Sequence, residues 1–299
     1  MNSKQLVWSD FVIYLKLTCV AVLWGGTFIA GRLTVSEVPA QIAALMRFIV
    51  ASVLLVAILI KVEGSFKKIN FKQHLLTASM GLTGVCTYNI FFFGALSYME
   101  AGRTALFVSL SPILTIIAAR VLFREKLSTL NYWGVILAFF GTLLVVTKGH
   151  IFSQLNASFG TGELMMSCAA LSWVAYTLLC KKTTGLSPLI MTTYSTLWGL
   201  VFLLIGFIAE IQTWQIFTFH ARTYLSILYL GALGTVLAFV WYAQGISKIG
   251  TSRTIIFNNL VPLFAVLLAF LLLNEPITLS MLIGGILSFS GVLLTNIKN

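Results

Sequence analysis

The chain has 299 residues, of which 59% are hydrophobic and 9% charged, and its mean hydropathy is +0.99. A soluble domain carries roughly 25% charged residues, because it must cover its surface with groups that water solvates. This composition excludes a water-soluble enzyme and leaves no room for a sizeable domain outside a membrane. The net charge of +11 comes from 19 Lys and Arg against 8 Asp and Glu. These cations lie between apolar runs, where they set orientation in a lipid bilayer rather than bind nucleic acid.

A bilayer core takes about 20 apolar residues per helical span. In chain order the sequence predicts ten spans: 11–31, 40–60, 74–98, 104–122, 131–147, 162–180, 188–209, 223–246, 254–273 and 278–297. The fold class expected is therefore an all-α integral membrane protein. The runs are about twice the length of a membrane strand and show no sustained alternation. The first run is too long for the apolar stretch of a cleaved signal, and no A-x-A site follows it, so it reads as a retained helix. Cys19, Cys86, Cys168 and Cys180 all fall in apolar runs. They lack metal-ligand spacing and read as small core residues.

With the N-terminus inside, the cytoplasmic segments hold 14 basic residues and the outer loops hold four: Arg32, Arg103, Lys148 and Arg222. That split predicts both termini in the cytoplasm and an even number of helices.

From Gly81 onward the two halves align without gaps at an offset of 150. Ser111 to Leu144 matches Val261 to Leu294, pairing Pro112 with Pro262, Glu125 with Glu275, Gly134 with Gly284 and Gly141 with Gly291. Upstream, Gly81 pairs with Gly231, Gly84 with Gly234, Arg103 with Arg253 and Phe107 with Phe257. At an offset of 149, Trp24 pairs with Trp173 and Pro39 with Pro188. So many matches in one frame mark an internal repeat, divided as 1–149 and 150–299. Each repeat holds five helices, and an odd number forces the second to enter the membrane upside down. The charges agree: the segment around Glu125 reads RVLFREK, and that around Glu275 reads LLLNEPI, with no cation. Inverted repeats are a recurring design of secondary transporters.

These features resemble a known family. LWGGTF at Leu23 to Phe28, the Pro39–Arg47–Phe48 pattern, SPILT followed by Arg124–Glu125, and NEP at Asn274 to Pro276 followed by Gly284 are similar to the drug/metabolite transporter superfamily, in its ten-helix EamA-type form. The resemblance covers essentially the whole chain. It implies a multi-pass carrier of the bacterial inner membrane, commonly an exporter of amino acids or other metabolites. Its partners would be a small-molecule substrate and the lipid bilayer. The oligomeric state stays open, and a monomer would suffice.

Few residues offer chemistry. Arg47 lies well inside a span, about 10 Å below the outer interface at 1.5 Å per residue from Pro39. An intramembrane Arg costs at least about 2.5–3.5 kcal/mol and must find a partner or a wet cavity. Two roles are open to it: anchor of a substrate carboxylate, or structural bond between helices. Pro112 and Pro262 sit mid-span, each freeing a carbonyl four residues back, at Val108 and Asn258, and read as a symmetric pair of kinks or hinges. Trp24, Tyr88, Asn89, Trp173, Tyr176, Tyr242, Asn258 and Asn259 are aromatic or amide side chains near mid-depth, and with Arg47 they form the candidate substrate cavity. Trp241 and Gln244 extend the cluster around Tyr242. The paired glycines, seven apart, share a helix face and read as packing sites.

Several chemistries have no residues to carry them. There is no G-x-x-x-x-G-K-[ST] and hence no ATPase loop. His74, His150 and His220 lie at span ends or in loops, so no metal site or cofactor is expected. Asp10 is the single Asp, which leaves no Ser-His-Asp set. A passive pore would carry rings of one charge, and a scaffold has no use for inverted repeats. The reading is a secondary carrier of small metabolites, amino acids first. The runner-up is export of drugs or bulky cations held by the aromatics.

Overall fold

The computed structural model describes residues 3–99, 101–108, 110–124, 128–147, 149–150, 160–183, 185–210, 219–273 and 277–296. Its elements are helical, with no strand among the described residues. They form ten rods: α1 (Ser3–Val35), α2 (Ala40–Glu63) and α3 (Phe71–Tyr98); α4, in the pieces Ala101–Val108 and Leu110–Phe123; α5 (Thr129–Val146), α6 (Thr161–Lys182), α7 (Pro188–Glu210) and α8 (Ala221–Ile249); α9, from Thr251–Ile255 through Ile256–Leu260 to Val261–Leu273; and α10 (Leu279–Asn296). Eight are long and apolar enough to cross a bilayer; α5 and the second piece of α4 are shorter apolar helices. Each matches a predicted span, and α1 runs several residues further at both ends. Glu100, Glu125, Glu275, Lys126 and the Asn274–Pro276 motif lie outside the described residues, as do the side chains of Asp10 and Arg103.

Local chemistry sets the ends. Asn70 accepts a hydrogen bond from the Gln73 N–H while the Gln73 side chain accepts one from the Asn70 N–H, a reciprocal cap that starts α3. Gly64, at φ 76°, stops α2 in the left-handed conformation that glycine adopts without strain. Gly250, at φ 88°, is the single residue between α8 and α9.

Burial follows the logic of a lipid solvent. Val53, Val121, Ile205, Leu225 and Ile286 are exposed, while Thr34, Thr142, Ser195 and Ser288 are buried. Polar groups without water must bond inside the bundle. Thr142 Oγ1 does so, contacting Ser288 Oγ at 3.0 Å and donating to the Asn259 carbonyl at 3.1 Å.

The repeat is visible in the packing. The first helix of each half crosses into the other: α1 packs on α8 and α9, and α6 packs on α3 and α4. The closest pair, α5 with α10, joins the two glycine stripes, with Gly134 against the Gly291 carbonyl and Gly141 against the Gly284 carbonyl. Both halves also widen into a π turn at repeat-equivalent places, Gly81–Thr87 in α3 and Ala232–Leu237 in α8. The sequence reading missed these turns.

Contacts between connections define two faces. On one, Ser187 donates to Glu63 at 2.7 Å and the Tyr194 hydroxyl to the Lys67 carbonyl at 2.9 Å. On the other, Glu37 binds the start of α8, and Arg32 donates to the carbonyls of Leu96 and Met99.

Candidate functional site: a central cavity between the repeats

A cavity of about 470 Å³, including the space at its mouth, lies at the centre of the bundle. Trp24, Thr27 and Phe28 of α1, Arg47 of α2, Tyr88 and Phe92 of α3, and Val108 and Ser111 of α4 line its first side. Met166, Ala170 and Trp173 of α6, Phe239 of α8, and Asn258 and Val261 of α9 line the second. The lining carries the repeat: Trp24 with Trp173, Val108 with Asn258, and Ser111 with Val261 are equivalent pairs. Trp24 and Trp173 meet edge to face, ring centroids 5.1 Å apart.

Arg47 is 3% exposed. Its Nε donates to Thr235 Oγ1 at 2.8 Å, one terminal nitrogen to Asn89 Oδ1 at 2.9 Å, and the other to the Gly234 carbonyl at 3.2 Å. The π turns explain these partners. A π turn leaves carbonyls without their usual donors, and side chains fill the gaps. Gly234 O also accepts from Trp24 Nε1 at 3.1 Å. In α3, Asn89 Nδ2 donates to Val85 O at 2.9 Å and Gly84 O at 3.3 Å. Arg47 therefore bonds the π regions of α3 and α8 across the boundary between repeats. It holds three helices together, and its charge faces the cavity with no carboxylate among its partners in the described residues.

Of the remaining sequence candidates, Trp24, Tyr88, Trp173 and Asn258 line the cavity. Asn89 does not; its amide is committed to Arg47 and the α3 carbonyls. Tyr176 and Tyr242 lie one turn beyond the lining, fully buried, with the Tyr242 hydroxyl 2.9 Å from Thr177 Oγ1. Asn259 points away from the lining, its amide buried without a hydrogen-bond partner among the described residues. Trp241 and Gln244 meet Lys16 instead: its ammonium donates to Gln244 at 2.8 Å and lies 5.9 Å from the Trp241 ring centroid. Lys16 is half-buried there. Pro112 and Pro262 are buried beside the lining residues Ser111 and Val261. Before Pro262, α9 tightens to a 3₁₀ stretch, Ile256–Leu260, and the Val261 N–H bonds the Asn258 carbonyl that the proline leaves unpaired.

Thr27, Phe28, Phe92, Ser111, Met166, Ala170, Phe239 and Val261 complete the lining without having been singled out. Thr27 and Phe92 were within reach of sequence reasoning as the repeat partners of Tyr176 and Tyr242. The small and apolar residues carry no signal of their own.

Among the described residues no cluster of metal-ligating side chains occurs. The described cysteines are free thiols.

The comparisons with known proteins agree with this architecture. The model of the EamA-like transporter family matches residues 12–147 and again 160–297. YyaM of Bacillus subtilis (strain 168), described as an uncharacterized transporter, is 30% identical over 94% of this chain and 92% of its own length. An uncharacterized transporter of Archaeoglobus fulgidus is 29% identical over the whole of this chain and 99% of its own. A solved crystal structure shares the fold with a TM-score of 0.76 at 17% identity, covering 95% of this chain and 96% of that one. With both five-helix halves matched, the chain belongs to the EamA-like transporter family and is a multi-pass membrane transporter, not an enzyme.

Proposed function

We propose that this transporter is a secondary carrier that exports small zwitterionic or anionic metabolites, amino acids first, by alternating access. The observation that carries the reading is the cavity between two inverted repeats, faced by the Arg47 cation and no described carboxylate. A substrate carboxylate gains attraction from that charge, and the aromatic walls take an apolar side chain. A multivalent cation finds no counter-charge there. The 14-to-4 distribution of basic residues supports a cytoplasmic location for both termini, and the bacterial inner membrane is the site proposed. A binding site shared between repeats of opposite orientation can be offered to either side of the membrane by similar movements of the two halves.

Competition tests the substrate class. Purified protein in liposomes is loaded with a labelled amino-acid mixture, and unlabelled solutes are added in turn. Neutral and acidic amino acids should suppress the flux, and monovalent cationic dyes should not. If the dyes alone compete, the aromatic cavity serves cations and the drug-export reading replaces this one.

A further inference from the structure

The repeat register relates two layers of side chains on either side of the tryptophan pair. Toward the face that holds Glu37 lie Thr27 and Phe28 of α1 and Phe92 of α3. Their repeat equivalents are Tyr176 and Thr177 of α6, at offset 149, and Tyr242 of α8, at offset 150. Each set forms a contact. The Phe28 and Phe92 rings meet edge to face with centroids 5.2 Å apart. Thr177 Oγ1 and the Tyr242 hydroxyl share a hydrogen bond of 2.9 Å. All four side chains are buried.

Beyond the Thr177–Tyr242 layer, toward the end of the bundle where α6 finishes at Lys181 and Lys182, lies a second, more open cavity of about 590 Å³, including the space at its mouth. Cys180 and Thr183 line it from α6 and the residue after it, and Ala243, Ile246 and Ser247 line it from α8. The order along each helix is the same. On α6 Trp173 lines the central cavity, Thr177 stands in the layer, and Cys180 lines the second cavity. On α8 the sequence is Phe239, Tyr242, Ile246. At 5.4 Å per turn, the layer is about one turn thick.

We propose that Phe28–Phe92 and Thr177–Tyr242 are the two gates of the translocation path, and that the second cavity is its vestibule on the basic face. The proposal rests on the carrier reading. The tryptophan pair touches one gate and reaches the other through Tyr88: Trp24 and Trp173 contact Tyr242 at 5.2 and 5.3 Å, while Trp173 meets Tyr88 at 5.2 Å, and Tyr88 stacks on Phe92 at 5.7 Å. A substrate wedged against Trp173 therefore bears on both layers. The gates differ in chemistry. Parting Thr177 and Tyr242 frees two hydroxyls that vestibule water or a polar substrate can satisfy. Parting the phenylalanines wets two apolar rings. The hydrogen-bonded gate is the easier to open.

The test uses the full chain with its four cysteines changed to Ser and one reporter, Ser111→Cys, in the central cavity. A membrane-impermeant maleimide is applied to right-side-out and inside-out vesicles. Tyr242→Phe and Thr177→Val should raise labelling at least threefold from the basic face alone. Phe92→Leu, with Phe92→Ala as the larger truncation, should raise it from the Glu37 face alone. Each variant must elute as a single peak matching the parent. Ser247→Cys, in the vestibule, should label from the basic face whatever the gate. Increases that are equal from both faces, or absent from both, would overturn the gates. Labelling needs no substrate, so the absence of saturable flux removes the carrier reading separately. Saturable flux with unchanged labelling removes the gates alone.

Discussion

Arg47 spends its guanidinium on three acceptors that no Lys can reach together, because a lysine ammonium is a single point on a flexible stem. Arg47→Lys keeps the charge but leaves at least one of Thr235 Oγ1 and Asn89 Oδ1 without this donor, while Gly234 O keeps Trp24 Nε1. An abandoned buried acceptor costs about 1–3 kcal/mol. The thermal midpoint in detergent should fall, and flux should drop about tenfold as α3 and α8 lose their link. Arg47→Met should abolish competition by carboxylates altogether. At the surface, Glu37 has the same kind of role. Thr223 donates to it at 2.7 Å and Arg222 at 2.9 and 3.1 Å, and the His220 N–H and ring also contact it. The Thr223 bond is the main cause holding its carboxyl down to about 2, below an ordinary value of 4.5, with His220 and Arg222 adding to it. A lowered folded-state value means the stabilisation is complete above about 4.5 and is lost as pH falls toward 2. Thermal unfolding followed over that window should show the midpoint falling with acid, and Glu37→Gln should flatten the fall. Arg47 was legible in the sequence because a charge in a span demands an explanation. Its partners were not, since Thr235 and the Gly234 carbonyl become available only through a π turn. Glu37 looked like any loop acid, because nothing local to it announces the start of α8.

At the scale of elements, the ten spans were readable because a bilayer imposes a length on every apolar run. The glycine stripes were readable because seven-residue spacing places both members on one face. A Cβ on Gly141 would fall closer than 3.0 Å to backbone atoms of Ser288 and Gly284, and one on Gly291 equally close to Ala138 and Gly134. Backbone cannot swing aside as a side-chain tip can. Gly141→Ala and Gly291→Ala should each destabilise the protein by about 1–3 kcal/mol, the usual range for overpacking. Gly285→Ala meets the flexible end of Leu263 and should cost less. Thermal melts of the three variants rank them; an equal loss in all three would mean that α5 and α10 do not bind through this stripe. The π turns were not readable, since GLTGVCT and ALGTVL have the composition of any membrane helix. Tyr176, Tyr242 and Asn259 fell outside the lining because depth along a span could be counted from the sequence, but rotation about its axis could not.

At the scale of the molecule, helices of both halves line one central cavity, and the proposed orientation rests on the distribution of basic residues. Orientation is testable directly: Ser65→Cys, after α2, and Ser36→Cys, after α1, are both exposed. A reagent outside intact cells should modify only the second. Coupling follows from what faces the cavity. Proton relays within a membrane use Asp, Glu or His, and among the described residues none lines the cavity. Glu163 is buried in the first turn of α6, and its carboxylate accepts from the Gly160 N–H at 2.9 Å as a helix cap. The carrier should run down its substrate gradient or exchange one solute for another, and a zwitterion should move with little response to voltage. Counterflow in liposomes measures this most directly. With unlabelled amino acid inside, labelled amino acid outside and no ion gradient, the label should accumulate saturably, and Arg47→Met should abolish the accumulation while Glu163→Gln leaves it intact. Uptake that rises without saturation, or that appears only under an imposed pH gradient and is lost in Glu163→Gln, would contradict it.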